Sequence, residues 1–306
     1  MGTTSLKAWI LAARLRTLPL SLSGIIAGNA LAWQDQQFDL PIFLGALVTA
    51  TLFQILSNFA NDYGDGVKGT DNEHRLGPPR ALQLGLLSAQ QLKKALWTVS
   101  ILSTLSAIAL IAKAFDSDQY LKVVIFLGLT LFAIGAAIKY TVGQNAYGYR
   151  GLGDLFVFIF FGGVSVVGSY YLQTQQISLD ASLFAVVLGC LSVGVLNLNN
   201  LRDFENDQNS NKKTLVVQWG IQKALVYQRL LLMLATICFI GVVFRAGDSP
   251  FRWASALFGL LILVRLPKAK GIYSAEYFDK SLKPLALTAF FTAVGFWCIN
   301  IMIHGL

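Results

Sequence analysis

The chain has 306 residues, of which 55% are hydrophobic and only 13% charged, with a mean hydropathy of +0.59. A soluble domain carries about 25% charged residues, so hydrophobicity at this level excludes an ordinary soluble fold and points to a polytopic membrane protein. The net charge of +8 lies in short loops between apolar segments, a topogenic pattern that argues against nucleic-acid binding.

A hydrocarbon core roughly 30 Å thick takes about 20 residues of helix, and apolar runs of that length exclude barrel strands. The opening stretch, MGTTSLKAWILAARLRTLPLSLSG, has no signal-peptide cleavage pattern and is expected to stay on the mature chain. Nine spans are then predicted, near 16–33, 40–61, 93–114, 120–140, 153–173, 180–200, 223–244, 250–266 and 284–303, the eighth being the shortest. The expected class is an all-α integral membrane protein with one domain, 1–306. Lys and Arg test the count. All but Lys113, Lys122, Arg245 and Arg252 fall at the N-terminus or in loops after even-numbered spans, which puts the N-terminus in the cytoplasm and the C-terminus outside. The many Phe, Tyr and Trp residues suit lipid contact, interfacial anchoring or an apolar ligand cavity alike. Cys190, Cys238 and Cys298 sit in apolar runs without Cys-x-x-Cys spacing and read as inert buried thiols. His74 and His304 are isolated and are given no metal role.

Two of the predicted spans end in acid. After the second comes NDYGDGVKGTD (61–71), and the sixth runs into NLNNLRDFENDQNSNKKT (197–214). Asn61 is followed at +4 by Asp65 and at +8 by Gly69; Asn199 is followed at +4 by Asp203 and at +8 by Asp207. Steps of four stack groups on one helical face. Acids near a helix C-terminus oppose the macrodipole, and like charges at i, i+4 cost a few tenths of a kcal/mol. A single such acid is an ordinary solvated helix end, but two matching ladders on the same side need a cation. All-oxygen donors select a hard ion, Mg²⁺, which usually keeps room for substrate phosphates. The expected ligands are Asn61, Asp62, Asp65, Asp71, Asn199, Asp203 and Asp207.

Basic residues crowd both ladders. Lys68, Arg75, Arg80, Arg202 and Lys212 are expected to grip a diphosphate, with Asn58 and Asn199 as polar partners. Each alone is equally well read as topogenic charge. A third cytoplasmic segment, IKYTVGQNAYGYRGLGDLFVF (138–158), carries Tyr140, Tyr147 and Tyr149. These are either interfacial aromatics or the wall of a site facing the ladders. Asp154 reads as the N-terminal cap of the fifth span.

The segments RLRTLPLS (14–21), NDYGDGVKGTD (61–71), RLGPPRALQ (75–83), YTVG…YGYRGLGDLFVFIFFG (140–162) and NLNNLRDFENDQNSNKKTLVV (197–217) together resemble the UbiA superfamily of intramembrane prenyltransferases. Within it they are most similar to the branch that acts on 1,4-dihydroxy-2-naphthoate. The likeness runs from about residue 8 to 220 and more loosely beyond. It departs from the superfamily pattern at Gly69, where the last acid of the first motif usually stands; Asp71 follows two residues later, a shift that would change its helical face.

The resemblance implies Mg²⁺-dependent transfer, with one or two ions, of a polyprenyl group from polyprenyl diphosphate to dihydroxynaphthoate, with loss of CO₂ to give demethylmenaquinol. It implies Asp62, Asp65, Asp203 and Asp207 as the catalytic acids, tyrosines shielding an allylic cation, and Arg14, Arg75 or Arg80 for the ring carboxylate. The isoprenoid tail would leave sideways into lipid. The implied place is a bacterial inner membrane with the site facing the cytoplasm. Two other readings remain: phytyl transfer or another aromatic acceptor on the same fold, and a cation-coupled transporter. Transporter acids usually lie near the bilayer midplane on broken helices, whereas these lie at one face.

Overall fold

The structure, a computed structural model, describes residues 6–73, 76–245, 252–267 and 273–304. Its regular elements are all helical, as the composition requires of a chain in lipid. A short helix α1 (Leu6–Ala13) and a 3₁₀ turn (Leu15–Thr17) lead into α2 (Leu18–Gln34). Then come α3 (Leu40–Lys68), α4 (Ala89–Ala114) and α5 (Tyr120–Lys139). The fifth predicted span is built in three parts: α6 (Gly153–Val157), a π-helical stretch Phe158–Gly168, and α7 (Ser169–Thr174). Next are α8 (Leu179–Arg202), two short helices α9 (Phe204–Asn209) and α10 (Leu215–Trp219), and α11 (Ile221–Arg245). The described chain closes with α12 (Arg252–Leu263) and α13 (Ala275–His304), which carries Pro284 inside it.

Eight helical runs among the described residues are long and apolar enough to cross a bilayer. The eighth predicted span, 250–266, begins at residues outside the described ones and contains α12. Its 12 residues reach only about 18 Å, short of a ~30 Å core. Local signals explain several boundaries that the hydropathy misplaces. Ser88 and Gln91 form a reciprocal capping box that starts α4 four residues before the predicted 93. Asp39 accepts from the Ile42 amide at 3.1 Å and Ser178 from the Ala181 amide at 3.0 Å, starting α3 and α8. The most consequential difference is the end of α3, which runs to Lys68 and carries Asn61 and Asp65 on the helix itself.

The bundle is organised around α8. Phe184, Leu188 and Leu191 on it are fully buried and pack with Phe239 of α11 and Phe296 of α13. Phe184 meets Phe239 and Phe296 edge-on at 5.8 and 5.1 Å, an arrangement that suits the ring quadrupoles. A second cluster joins α1, α3 and α4 through Ala12, Leu56, Phe59 and Leu92. A third, with Ile42, Leu110, Ile111 and Leu172, closes the far end of α3 and α4. Side chains such as Trp97, Leu105, Val124 and Ile237 point outward and exposed, as the lipid-facing side of a bundle requires.

One close approach positions the site. A methyl group on Gly64 would sit 2.5 Å from Thr141 Oγ1 and 2.8 Å from the Thr141 carbonyl carbon. The missing Cβ lets Thr141 donate to the Ala60 carbonyl at 2.8 Å, seating the end of α5 one residue from Asp65. Gly64→Ala is therefore expected to cost about 1–3 kcal/mol of overpacking strain, read as a lower thermal midpoint in detergent with reduced activity.

Candidate active site

The first ladder closes on itself through the end of α3. Helix α3 stops because Gly69 adopts φ 74, the left-handed region that glycine enters without a Cβ penalty. The Thr70 and Asp71 amides then fold back onto the Asp65 carbonyl at 3.0 and 3.4 Å. Asp71 is thereby returned to the neighbourhood of Asp65, and both carboxylates pair with Arg80 Nη1, at 3.0 and 2.8 Å. The expected change of helical face does not arise, since residue 71 is not on the helix. The same Arg80 Nη1 donates to the Asn61 carbonyl at 2.8 Å. Tyr149 donates to Asp65 Oδ1 at 2.8 Å and lies 2.6 Å from Thr70 Oγ1, while the exposed Lys68 ammonium stands 3.9 Å over the Tyr149 ring.

The second ladder bends at Asp203, between α8 and α9. The Asp207 amide donates to the Asp203 carbonyl at 2.8 Å, so the turn-by-turn stacking from Asn199 survives the break. Arg202 behaves differently from its sequence role. Its guanidinium grips Asp203 through Nε at 2.8 Å and Nη2 at 2.7 Å, reaches Asn199 Oδ1 at 2.5 Å, and pairs with Asp279 of α13 at 2.9 Å. It is buried and engaged on three sides by residues of the ladder and of α13. Removing one partner of a buried pair costs about 3–5 kcal/mol because the other charge is stranded. Arg202→Met is thus expected to lower thermal stability far more than Asp279→Asn, whose carboxylate is half exposed.

Three loops bring the ladders together. Asn206 donates to the Thr70 carbonyl at 3.1 Å, and the Lys213 amide to the Tyr149 carbonyl at 3.2 Å. Lys212 pairs with Asp207 at 3.2 Å. Asn61, Asp65, Arg80, Asn199 and Lys212 all border one cavity of about 380 Å³. Burial pushes Asp207 up to about 6 despite Lys212 beside it. For Lys212 and Arg80, burial works against the charge, but the surrounding carboxylates outweigh it and hold both above their ordinary values. Burial, and then the Asp65 charge, likewise raise the Tyr149 phenol and keep it a hydrogen-bond donor.

Among the described residues no group of three or more His, Cys, Asp or Glu side chains closes into a metal cage by itself. The oxygen donors nevertheless fit a hard divalent ion. Asn61 Oδ1 and Asp207 Oδ2 are buried with no hydrogen-bond partner among those residues. A buried acceptor left so costs about 1–3 kcal/mol, which a cation would offset while taking its remaining ligands from a bound phosphate. Asp62 lies away from the cavity wall, near Arg14 and Arg80.

Aromatic side chains line the cavity next to its polar end. Tyr140 meets Tyr147 edge-on at 5.3 Å, Tyr147 stacks on Phe156 at 4.0 Å, and Phe156 adjoins Phe160 at 6.3 Å. Tyr140 and Tyr147 border the cavity as expected, whereas Tyr149 does not and instead holds Asp65. Asn58 borders the cavity, but its amide is committed to the Ala13 carbonyl at 2.8 Å and Thr17 Oγ1 at 3.1 Å. The Asp154 cap is also corrected. The cap position is Leu152, and Asp154 is a buried first-turn residue without a capping bond. Arg75 and His74 lie outside the described residues. Thr70, Asn200, Phe156 and Phe160 join the site although the sequence does not single them out within their motifs. The first two are single polar residues inside stretches dominated by stronger signals, and the phenylalanines sit in an apolar run.

Comparison with known proteins accords with this geometry. The model of the UbiA prenyltransferase family matches residues 21–274. A curated relative, the 1,4-dihydroxy-2-naphthoate octaprenyltransferase of Escherichia coli, is 42% identical over 92% of this chain and 88% of its own length. The protein of the same name from Haemophilus influenzae is 42% identical over 93% of this chain and 91% of its own. Among solved structures, an apo UbiA homolog from Aeropyrum pernix aligns with TM-score 0.67 at 16% identity, over 95% of this chain and 98% of that one. A UbiA homolog from Archaeoglobus fulgidus bound to GPP and Mg²⁺ aligns with TM-score 0.66 at 13% identity, over 98% of this chain and 100% of that one. With acid ladders, basic partners and an aromatic cavity at the ends of its helices, and relatives alike over almost their whole length, the chain belongs to the UbiA prenyltransferase family.

Proposed function

We propose that this protein transfers a polyprenyl group from polyprenyl diphosphate to 1,4-dihydroxy-2-naphthoate, releasing CO₂ and diphosphate and forming demethylmenaquinol. The observation that carries this reading is one cavity with a charged end and an apolar body. Asn61, Asp65, Arg80, Asn199 and Lys212 face its polar end, and Tyr140, Tyr147, Phe156 and Phe160 flank it. Along α3 the lining extends from Asp65 to Ala46, on the order of 28 Å at helical rise, a depth suited to an extended isoprenoid. The names of the curated relatives supply the acceptor.

Asn61, Asp62 and Asp65 from α3, with Asn199, Asp203 and Asp207 from the second ladder, are the residues that would hold Mg²⁺. When bound, Mg²⁺ neutralises diphosphate charge and stabilises the leaving group. Arg80 and Lys212 hold the diphosphate through charge-assisted hydrogen bonds that strengthen as the allylic C–O bond breaks and its electron pair departs. The aromatic wall excludes water and faces the allylic cation with ring π-density. The ring carbon bearing the carboxylate attacks, the new C–C bond forms, and the bond to CO₂ breaks, returning its electrons to the ring. With CO₂ as the departing group, the substitution itself requires no protein base.

The Lys and Arg distribution supports a cytoplasmic N-terminus and a site at the cytoplasmic face, and the reading takes the membrane to be a bacterial inner membrane. In the same reading, α12 with its neighbouring residues makes a ninth crossing and leaves the C-terminus outside. The test is purified protein with dihydroxynaphthoate, Mg²⁺ and prenyl diphosphates of graded length, products being identified by mass. Prenylated, decarboxylated naphthalenediol is the expected product. Transfer only from phytyl diphosphate, or only to another aromatic acid, would replace this assignment.

A further inference from the structure

Asp154 stands out in the sequence, yet neither helix capping nor the acid ladders account for it. It is 7% exposed, in the first turn of α6, where the fifth span begins. Its polar partners are its own backbone amide and the Tyr227 hydroxyl of α11, while Oδ1 has no hydrogen-bond partner among the described residues. No Lys or Arg among those residues pairs with it. A buried acid without a counter-ion is costly, and an ionisable group within a membrane span points to a function and to a partner. The neighbours of Asp154 are cavity wall. The adjoining Gly153 packs so closely that a Cβ there would lie 3.2 Å from Tyr140 Cε2 and Oη and 3.4 Å from Leu196 Cδ2. Tyr140 and Leu196 both border the main cavity, and so does Val157, one turn after Asp154 on the same side of α6. Asp154 itself does not border it. Burial raises the Tyr140 phenol, and among the carboxylates that add to this effect Asp154 acts most strongly, ahead of Asp65 and Asp207.

We infer that Asp154 is a positioning residue of the transferase site: its carboxylate, set behind Tyr140, is the counter-charge for the allylic cation and acts on it through that ring. The inference rests on the prenyl-transfer reading above. When the allylic C–O bond breaks, its electron pair leaves with the diphosphate and the isoprenoid carbon becomes cationic. That cation exists only in the reaction, so Asp154 has no counter-ion at rest and gains one in the transition state. Tyr140 offers the cation its ring π-density, and a negative charge behind the ring adds to the attraction in a site of low dielectric. A charge fixed before the reaction needs no reorganisation during it. The ring between them also matters chemically. A carboxylate in direct contact would capture the cation as an ester, whereas one behind Tyr140 attracts it without forming a C–O bond. Because the attraction is realised only in the transition state, it raises kcat and leaves the KM of both substrates nearly alone.

The experiment uses the full chain in phosphatidylcholine nanodiscs, with Asp154→Asn, which keeps the size and removes the charge, and Asp154→Glu, which keeps the charge. Asp154→Asn lowers kcat roughly 10–30-fold, with little change in either KM, and Asp154→Glu recovers part of the loss. Binding then separates charge from packing. With Mg²⁺ and diphosphate present, a tertiary isoprenoid amine, protonated at neutral pH, stands in for the allylic cation. It binds wild type roughly tenfold more tightly than Asp154→Asn, whereas the neutral thioether of the same shape binds both alike. Equal affinity of the amine for the two proteins would overturn the inference, and so would an undiminished kcat in Asp154→Asn. A parallel loss of thioether affinity and thermal stability would make Asp154 a packing residue and overturn it as well. If wild type does not prenylate dihydroxynaphthoate, the proposed function fails instead, and the amine comparison decides the role of Asp154 by itself.

Discussion

Asp65→Ala is expected to lower prenyl transfer by about 10³-fold or more while the protein still inserts and folds. Removing a single preorganised charge-stabilising group from an enzyme site costs about 10²–10³ in kcat, and Asp65 does more than one job. Its carboxylate takes Arg80 and Tyr149 at 2.8 Å each and borders the cavity. Arg80 keeps Asp71 at 3.0 Å and the Asn61 carbonyl at 2.8 Å in the variant, so no buried cation is stranded and the loss reads on chemistry. Asp203→Ala, by contrast, strips Arg202 of its bidentate partner and is expected to lose both activity and thermal stability. The check is turnover against melting temperature for both variants, alongside membrane yield. Near-normal turnover in Asp65→Ala would remove the assignment of the α3 ladder as the metal and diphosphate site.

Chelation should abolish activity, and Mg²⁺ should restore it. The geometry adds a sharper expectation. No acid cluster among the described residues closes a cage, and Asp65 and Asp207 already pair with Arg80 and Lys212. Metal affinity of the protein alone should therefore be weak and should tighten strongly with a non-reactive prenyl diphosphate analogue, because the phosphate oxygens complete the coordination. Calorimetric titration of Mg²⁺ with and without the analogue measures this. Activity indifferent to EDTA would argue that Arg80 and Lys212 alone carry the leaving group.

Much of this site is legible because its signals are chemical. Two helices ending in Asn/Asp ladders are costly in isolation, so their repetition points to a shared cation without any coordinates. The apolar length of the spans is equally direct, since lipid leaves the backbone few alternatives. Arg202 is less legible. A basic residue beside an acid ladder has the same sequence signature whether it binds substrate or the acids themselves, and only the Asp203, Asn199 and Asp279 contacts separate the two.

The sequence by itself determined the membrane class, the repetition of the two ladders and the family likeness, because residue type and helical spacing suffice for each. Tertiary structure alone decided which groups share the cavity. It placed Arg80 between Asp65 and Asp71, turned Tyr149 into a partner of Asp65, and committed Asn58 to the Ala13 carbonyl and Thr17. It also resolved the exception inside NDYGDGVKGTD. Gly69 ends the helix in a left-handed turn, and that turn carries Asp71 back to Asp65. A break in helical spacing looks like a lost ligand position when only the repeat is known, but a reversed chain restores proximity by a path that no periodicity describes.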